Sequence, residues 1–184
     1  MKKMIALLLG LMMLMTCATA LGEAEKASMG VLKVSKAFDI RYSPLPNDYQ
    51  LSITRQDADY IHADIETATE TLPRMDLVIA FSDLWEGTEK LNDVSEEDLE
   101  AVRESFREEY PDAEFSFRET AYGTKLMLVT TPTGQDAYIY TIYKEHEIEI
   151  HIFTGLQQDA LEEADIERVV DFLSNMDFVQ LEDE

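Results

Sequence analysis

Cysteine is almost absent from this sequence: Cys17 is the only one in 184 residues, and it sits near the start of the chain. Without a second thiol there is no disulfide and no multi-cysteine metal centre to staple the fold, so stability has to come from a packed core. Basic residues are scarce as well, 15 Lys and Arg against 38 Asp and Glu, for a formal charge of -23. A field of that sign repels polyanions, which argues against nucleic acid, anionic lipid surfaces and anionic wall polymers as partners and favours cationic or cation-bridged ones. After the first twenty residues no apolar run approaches membrane-span length, so no integral membrane segment is expected downstream. The sequence also lacks a G-x-S-x-G elbow, a glycine-rich phosphate loop and the D-x-[DN]-x-[DN]-G layout of a calcium loop. The sequence therefore assigns no catalytic, cofactor-binding or metal-ligating residue, and no cofactor is expected.

What is present begins with Met1-Lys2-Lys3, an apolar run from Met4 to Met15, and the small-residue stretch Thr16-Cys17-Ala18-Thr19-Ala20. These are the three regions of a cleavable secretory signal, so cleavage is expected after Ala20 and the protein is expected outside the cell. An alternative stays open, because Leu14-Met15-Thr16-Cys17 is laid out like a lipoprotein box in which Cys17 is lipidated and anchors the chain to the outer face of the membrane. Cleavage removes Lys2 and Lys3 and leaves 13 basic against 38 acidic residues, a charge of -25. The remaining chain, about 164 residues, is enough for one domain with a sizeable core and too short for two ordinary ones. Residues 21–30 read as a short flexible leader and 31–184 as a single globular domain.

Alternation of apolar and polar residues predicts strands at 38–42, 49–55 and 59–66, with the Pro44 to Asp48 stretch as a turn. Met75, Leu77, Ile79 and Phe81 predict a central strand, and 114–119, 124–130, 137–144 and 147–153 a further run of strands. Ser95-Glu96-Glu97-Asp98 is an N-cap with acids in the first turn, and Leu99, Val102, Phe106 and Tyr110 form one apolar stripe. A helix is predicted over 95–109, stopped by Pro111. Leu161, Ile166, Val169, Val170 and Leu173 predict a second helix over 159–174, with Phe178-Val179 closing the domain. Strands, a helix, strands, a helix: that order predicts an α+β fold, an antiparallel sheet of about seven to eight strands with two amphipathic helices packed on it.

Three stretches carry a resemblance: Phe38-Asp39-Ile40 with Pro44-Leu45-Pro46-Asn47-Asp48-Tyr49, then Arg118-Glu119-Thr120-Ala121-Tyr122-Gly123-Thr124-Lys125, then Asp171-Phe172-Leu173-Ser174-Asn175-Met176-Asp177-Phe178. Over nearly all of residues 31–180 the layout resembles the small exported PsbP-like and DcrB-like domains, and most closely uncharacterised secreted proteins of anaerobic Gram-positive bacteria. The resemblance implies a fold. Members of that broad group do unrelated things, so it implies no site.

The sharpest motif is His146-Glu147-Ile148-Glu149-Ile150-His151, which invites comparison with H-E-x-x-H. The comparison fails, since that motif needs a helix and a spacing of four, whereas an odd spacing on a strand sends the two rings to opposite faces. With a turn on Glu145-His146, Tyr140 is expected opposite His151, Tyr138 opposite Phe153 and Ile142 opposite Glu149. Tyr138, Tyr140, Glu147, Glu149 and His151 then form a candidate binding face. Trp85 is expected to anchor its loop on the core, His62 to be a solvated strand histidine, and the acids of 93–100, 108–109 and 182–184 to form solvated faces. The sum is an exported acidic module that binds an extracellular protein or small ligand. Two alternatives stand beside it: a small hydrolase or metal-dependent enzyme with a dispersed site, and a lipoprotein subunit held through Cys17.

Overall fold

In a computed structural model of the chain, the described residues are 30–36, 38–43, 45 and 49–181. The signal stretch with Cys17, the leader up to residue 29, most of the 44–48 turn and the acidic tail 182–184 lie outside them. The strands are β1 (Gly30–Lys33), β2 (Phe38–Tyr42), β3 (Gln50–Gln56), β4 (Tyr60–Glu66), β5 (Arg74–Phe81), β6 (Glu114–Glu119), β7 (Lys125–Thr130), β8 (Asp136–Tyr143), β9 (His146–Phe153) and β10 (Asp177–Gln180). The helices are α1 (Glu96–Glu109) and α2 (Glu163–Ser174). The fold is α+β, as the order of elements predicts: a seven-stranded antiparallel sheet, β3-β4-β5-β9-β8-β7-β6, with two helices. A separate three-stranded sheet, β1-β2-β10, accompanies it.

One face of the large sheet is the main core. Period-two alternation puts Ile61, Ala63 and Ile65 of β4, Met75, Leu77 and Ile79 of β5, and Ile148, Ile150 and Ile152 of β9 on the same side, all nearly inaccessible. The small sheet covers this face with Phe38 and Ile40, and α2 adds Val169, Val170, Phe172 and Leu173. Phe38 meets Tyr143 edge-on at 4.9 Å, and the Tyr143 hydroxyl donates to the carbonyl of Phe178, which ties β8 to β10.

The opposite face is only half covered. Helix α1 lies over β6, β7 and β8, and its stripe packs with Met127, Val129, Tyr138, Tyr140 and Ile142 into a second cluster. Ser95 caps it as its sequence predicts, its hydroxyl oxygen accepting from the Asp98 N–H at 3.1 Å, with acids at the first three positions favoured by the helix dipole. The two cations of α1 turn toward β6: Arg103 lies over Phe117 and Arg107 over Phe115, both paired to Glu100. Among the described residues no helix covers the same face of β9, β5 and β4, where Glu147, Glu149 and His151, then Asp76 and Val78, then His62 and Asp64 stand half-buried.

Strand β1, which begins inside the expected leader, and the division of the strands into two sheets were not predicted, and two boundaries differ from expectation. Helix α2 starts at Glu163, not near 159, because the buried carboxylate of Asp165 reaches back to the Glu162 N–H at 3.1 Å and also accepts from Arg168 at 3.0 Å, closing the first turn there. The β8–β9 hairpin turns on Lys144-Glu145, both with positive φ of 50° and 63°, instead of Glu145-His146. Two consecutive left-handed residues match the twist of the flanking strands, and the change draws His146 into the ladder opposite Tyr143.

Candidate functional site

The hairpin correction shifts the register by two residues and so leaves every side chain on its expected face. Tyr140 lies opposite Glu149, Tyr138 opposite His151 and Ile142 opposite Glu147. The two histidines of the motif do lie on opposite faces. His146 is buried on the core side, its Nδ1 2.6 Å from the Lys144 carbonyl and its ring edge-on to Phe38 and Phe81. His151 is on the outer side, stacked on Tyr138 at 4.4 Å with its Nε2 2.8 Å from a carboxylate oxygen of Asp136.

A groove of about 460 Å³ runs where the edge of α1 leaves the sheet uncovered. Trp85, Phe106 and Tyr140 supply its aromatic walls, and Asp98, Glu109, Glu147 and Glu149 its charge. Trp85 is 8% exposed, as the core-anchor reading expects, but its indole N–H does more than pack: it donates to Glu147 Oε1 at 2.7 Å. Phe106 closes the top against Tyr138 at 5.5 Å and Tyr140 at 6.3 Å, and the Tyr110 and Tyr138 hydroxyls share a hydrogen bond of 2.6 Å. Of the five residues on the expected binding face, Tyr140, Glu147 and Glu149 line this groove. Tyr138 and His151 sit just beyond it, engaged with Tyr110 and Asp136.

Electrostatics set the groove apart from an ordinary solvated acidic surface. Burial raises the pKa of Glu149; His151 offsets part of that rise, and the carboxylates of Glu147 and Glu109 add to it. Burial and the same Glu147 charge push the Tyr140 hydroxyl well above the usual phenol range. None of the lining residues is a Lys or Arg. The groove therefore holds partly desolvated negative charge beside aromatic surface, with no cation of its own to balance it.

The sequence singled out the tyrosine and glutamate positions because strand alternation alone assigns them a face. It missed Phe106 and Glu109, which reach the groove only because α1 docks over β8. The signal that existed was the helix period: Asp98, Val102, Ser105 and Glu109 recur along one side of α1. No protein-family model matches the chain, and no curated protein matches it at a significant level.

Proposed function

We propose that this chain is an exported, non-catalytic binding module whose groove takes a small cationic ligand with an apolar or aromatic body. The observation that carries the reading is the convergence of Glu109, Glu147 and Glu149 on an aromatic-walled groove that contains no basic side chain. An ammonium or guanidinium group seated beside Glu149 offsets the burial that penalises its charged form, while Trp85, Phe106 and Tyr140 supply the flat apolar faces that attract organic cations. The volume suits a compact ligand, within the usual range for small-molecule sites of about 300–1,000 Å³. The overall charge of -23 draws cations toward this face over longer distances. The signal-like start of the sequence supports export.

Isothermal titration with phenethylamine tests the reading, with phenethyl alcohol and phenylpropionate as neutral and anionic counterparts of the same ring. The expected result is binding of the amine at least about tenfold tighter than either counterpart, weakened by salt and by Glu149→Gln. Equal affinity for all three, or amine binding untouched by Glu149→Gln, contradicts it.

A further inference from the structure

The uncovered half of the outer face brings together a second set of groups that the groove does not use. His62 and Asp64 are two residues apart on β4 and so share a face, and the β4–β5 register places Asp76 directly opposite Asp64. One donor atom from each of His62, Asp64 and Asp76 falls within 4.8 Å of the other two, with His62 Nε2 3.7 Å from an Asp64 oxygen. All three side chains are half-buried on a sheet, where neighbouring rotamers are held by packing on both sides.

We infer that His62, Asp64 and Asp76 form a divalent-metal site of the zinc type, with three protein ligands and an open position facing solvent. Like charges directly opposite on adjacent strands destabilise a sheet, yet among the described residues no Lys or Arg pairs with Asp64 or Asp76. Of the nearby cations, Arg55 pairs with Asp57 and lies over Tyr60, and Arg74, two residues from Asp76, lies over Phe153 and makes no ion pair with either carboxylate. A bound dication supplies the missing positive charge. The donor set selects the metal. Calcium wants six to eight oxygens and takes no imidazole, and magnesium keeps its waters, whereas one nitrogen and two carboxylate oxygens suit zinc. Tetrahedral bonds of about 2.0–2.1 Å place ligand atoms about 3.4 Å apart, so small side-chain rotations close the set around the ion. The site is separate from the groove. Strand β5 lies between β4 and β9, which puts His62 about 10 Å from Glu149 in the same row of the sheet.

Titration of the chelator-treated chain with Zn²⁺, followed by calorimetry, tests this. One ion is expected to bind per chain, with Ca²⁺ and Mg²⁺ failing to compete at tenfold excess. His62→Ala and Asp76→Asn are each expected to weaken binding by about 10–100-fold or more, the range known for loss of even an indirect metal partner. Co²⁺ is expected to bind in place of Zn²⁺ and give visible d–d absorption that His62→Ala removes. Glu108→Gln, an exposed carboxylate on α1, is expected to leave binding unchanged and reports diffuse attraction by the acidic surface. Retention of wild-type zinc affinity by both His62→Ala and Asp76→Asn, or an equal loss in Glu108→Gln, overturns the assignment. Circular dichroism on each variant confirms that the sheet is intact, which the half-buried, solvent-facing positions predict.

Discussion

Leu99→Ala measures how much of the outer-face cluster depends on one side chain of α1. Leu99 is the single fully buried residue of that helix, 1% exposed, and it packs among Trp85, Leu91, Met127 and Ile142. The substitution removes three carbons, a transfer loss of about 2.4 kcal/mol at about 0.8 kcal/mol each. The cavity left under a helix that meets the sheet along one stripe brings the expected cost to about 3 kcal/mol, inside the usual span of about 2–5. For a domain of this size that corresponds to a fall of about 6–12 °C in Tm. Urea unfolding followed by circular dichroism gives the free energy. Trp85, the only tryptophan, lies in the same cluster and reports the local packing through its emission. Val102→Ala, at a half-buried position on the same stripe, is the control and is expected to cost about 1 kcal/mol. A loss below about 1 kcal/mol for Leu99→Ala, with Trp85 emission unchanged, refutes the claim that α1 is held by this contact.

Further expectations follow from the same structure. Glu149→Gln stabilises the protein at neutral pH: burial raises the folded-state pKa, so the fold disfavours the ionised carboxylate and wild-type stability falls as pH rises through that window. The variant's advantage is therefore absent below the ordinary glutamate value of 4.5 and grows as pH rises toward the raised folded-state pKa, readable as Tm against pH; an advantage that grows on acidification contradicts the burial argument. Trp85→Phe keeps the packing but loses the 2.7 Å bond to Glu147, at an expected cost of about 1–2 kcal/mol in urea unfolding; no loss implies that the bond is not formed in solution. Gly155→Ala drives a Cβ to 2.3 Å from the Leu72 carbonyl and 2.5 Å from that of Glu70, backbone that cannot rotate away, and is expected to cost about 1–3 kcal/mol; a neutral result means the loop after β4 is not seated against the end of β9.

What the residues disclosed, and what they did not, divides along the range of the interactions. Helix α1 was legible because its signals are local: Ser95 as cap, acids in the first turn, a stripe at helical spacing and Pro111 as a stop. The faces of β4, β5, β8 and β9 were legible for the same reason, since alternation decides a face without knowledge of the partner. Registers were not. The hairpin turn at Lys144-Glu145 carries neither the asparagine nor the glycine that normally marks such a turn, so the chain offered no local cue against a turn one residue later. Strand β1 was hidden because Gly30 looks like the end of a polar leader and the few residues from Val31 carry too short an alternation, until Gly30 and Val31 pair with Tyr42 and Arg41. The tripartite cluster is the extreme case. His62 and Asp64 are visible as a strand pair, but Asp76 joins them only through the β4–β5 pairing, which no local pattern encodes.

Cation binding in the groove beside Trp85 is open to direct view through the single indole of the protein. In a proton–nitrogen correlation spectrum of the ¹⁵N-labelled chain, the lone indole N–H resonance belongs to the group that donates to Glu147 at the groove wall. Titration with phenethylamine is expected to move that resonance in a saturable way, together with the backbone amides of Glu147 and Glu149, and Glu149→Gln is expected to weaken the response about tenfold. An indole resonance that stays fixed while amides elsewhere respond to the amine contradicts the central claim.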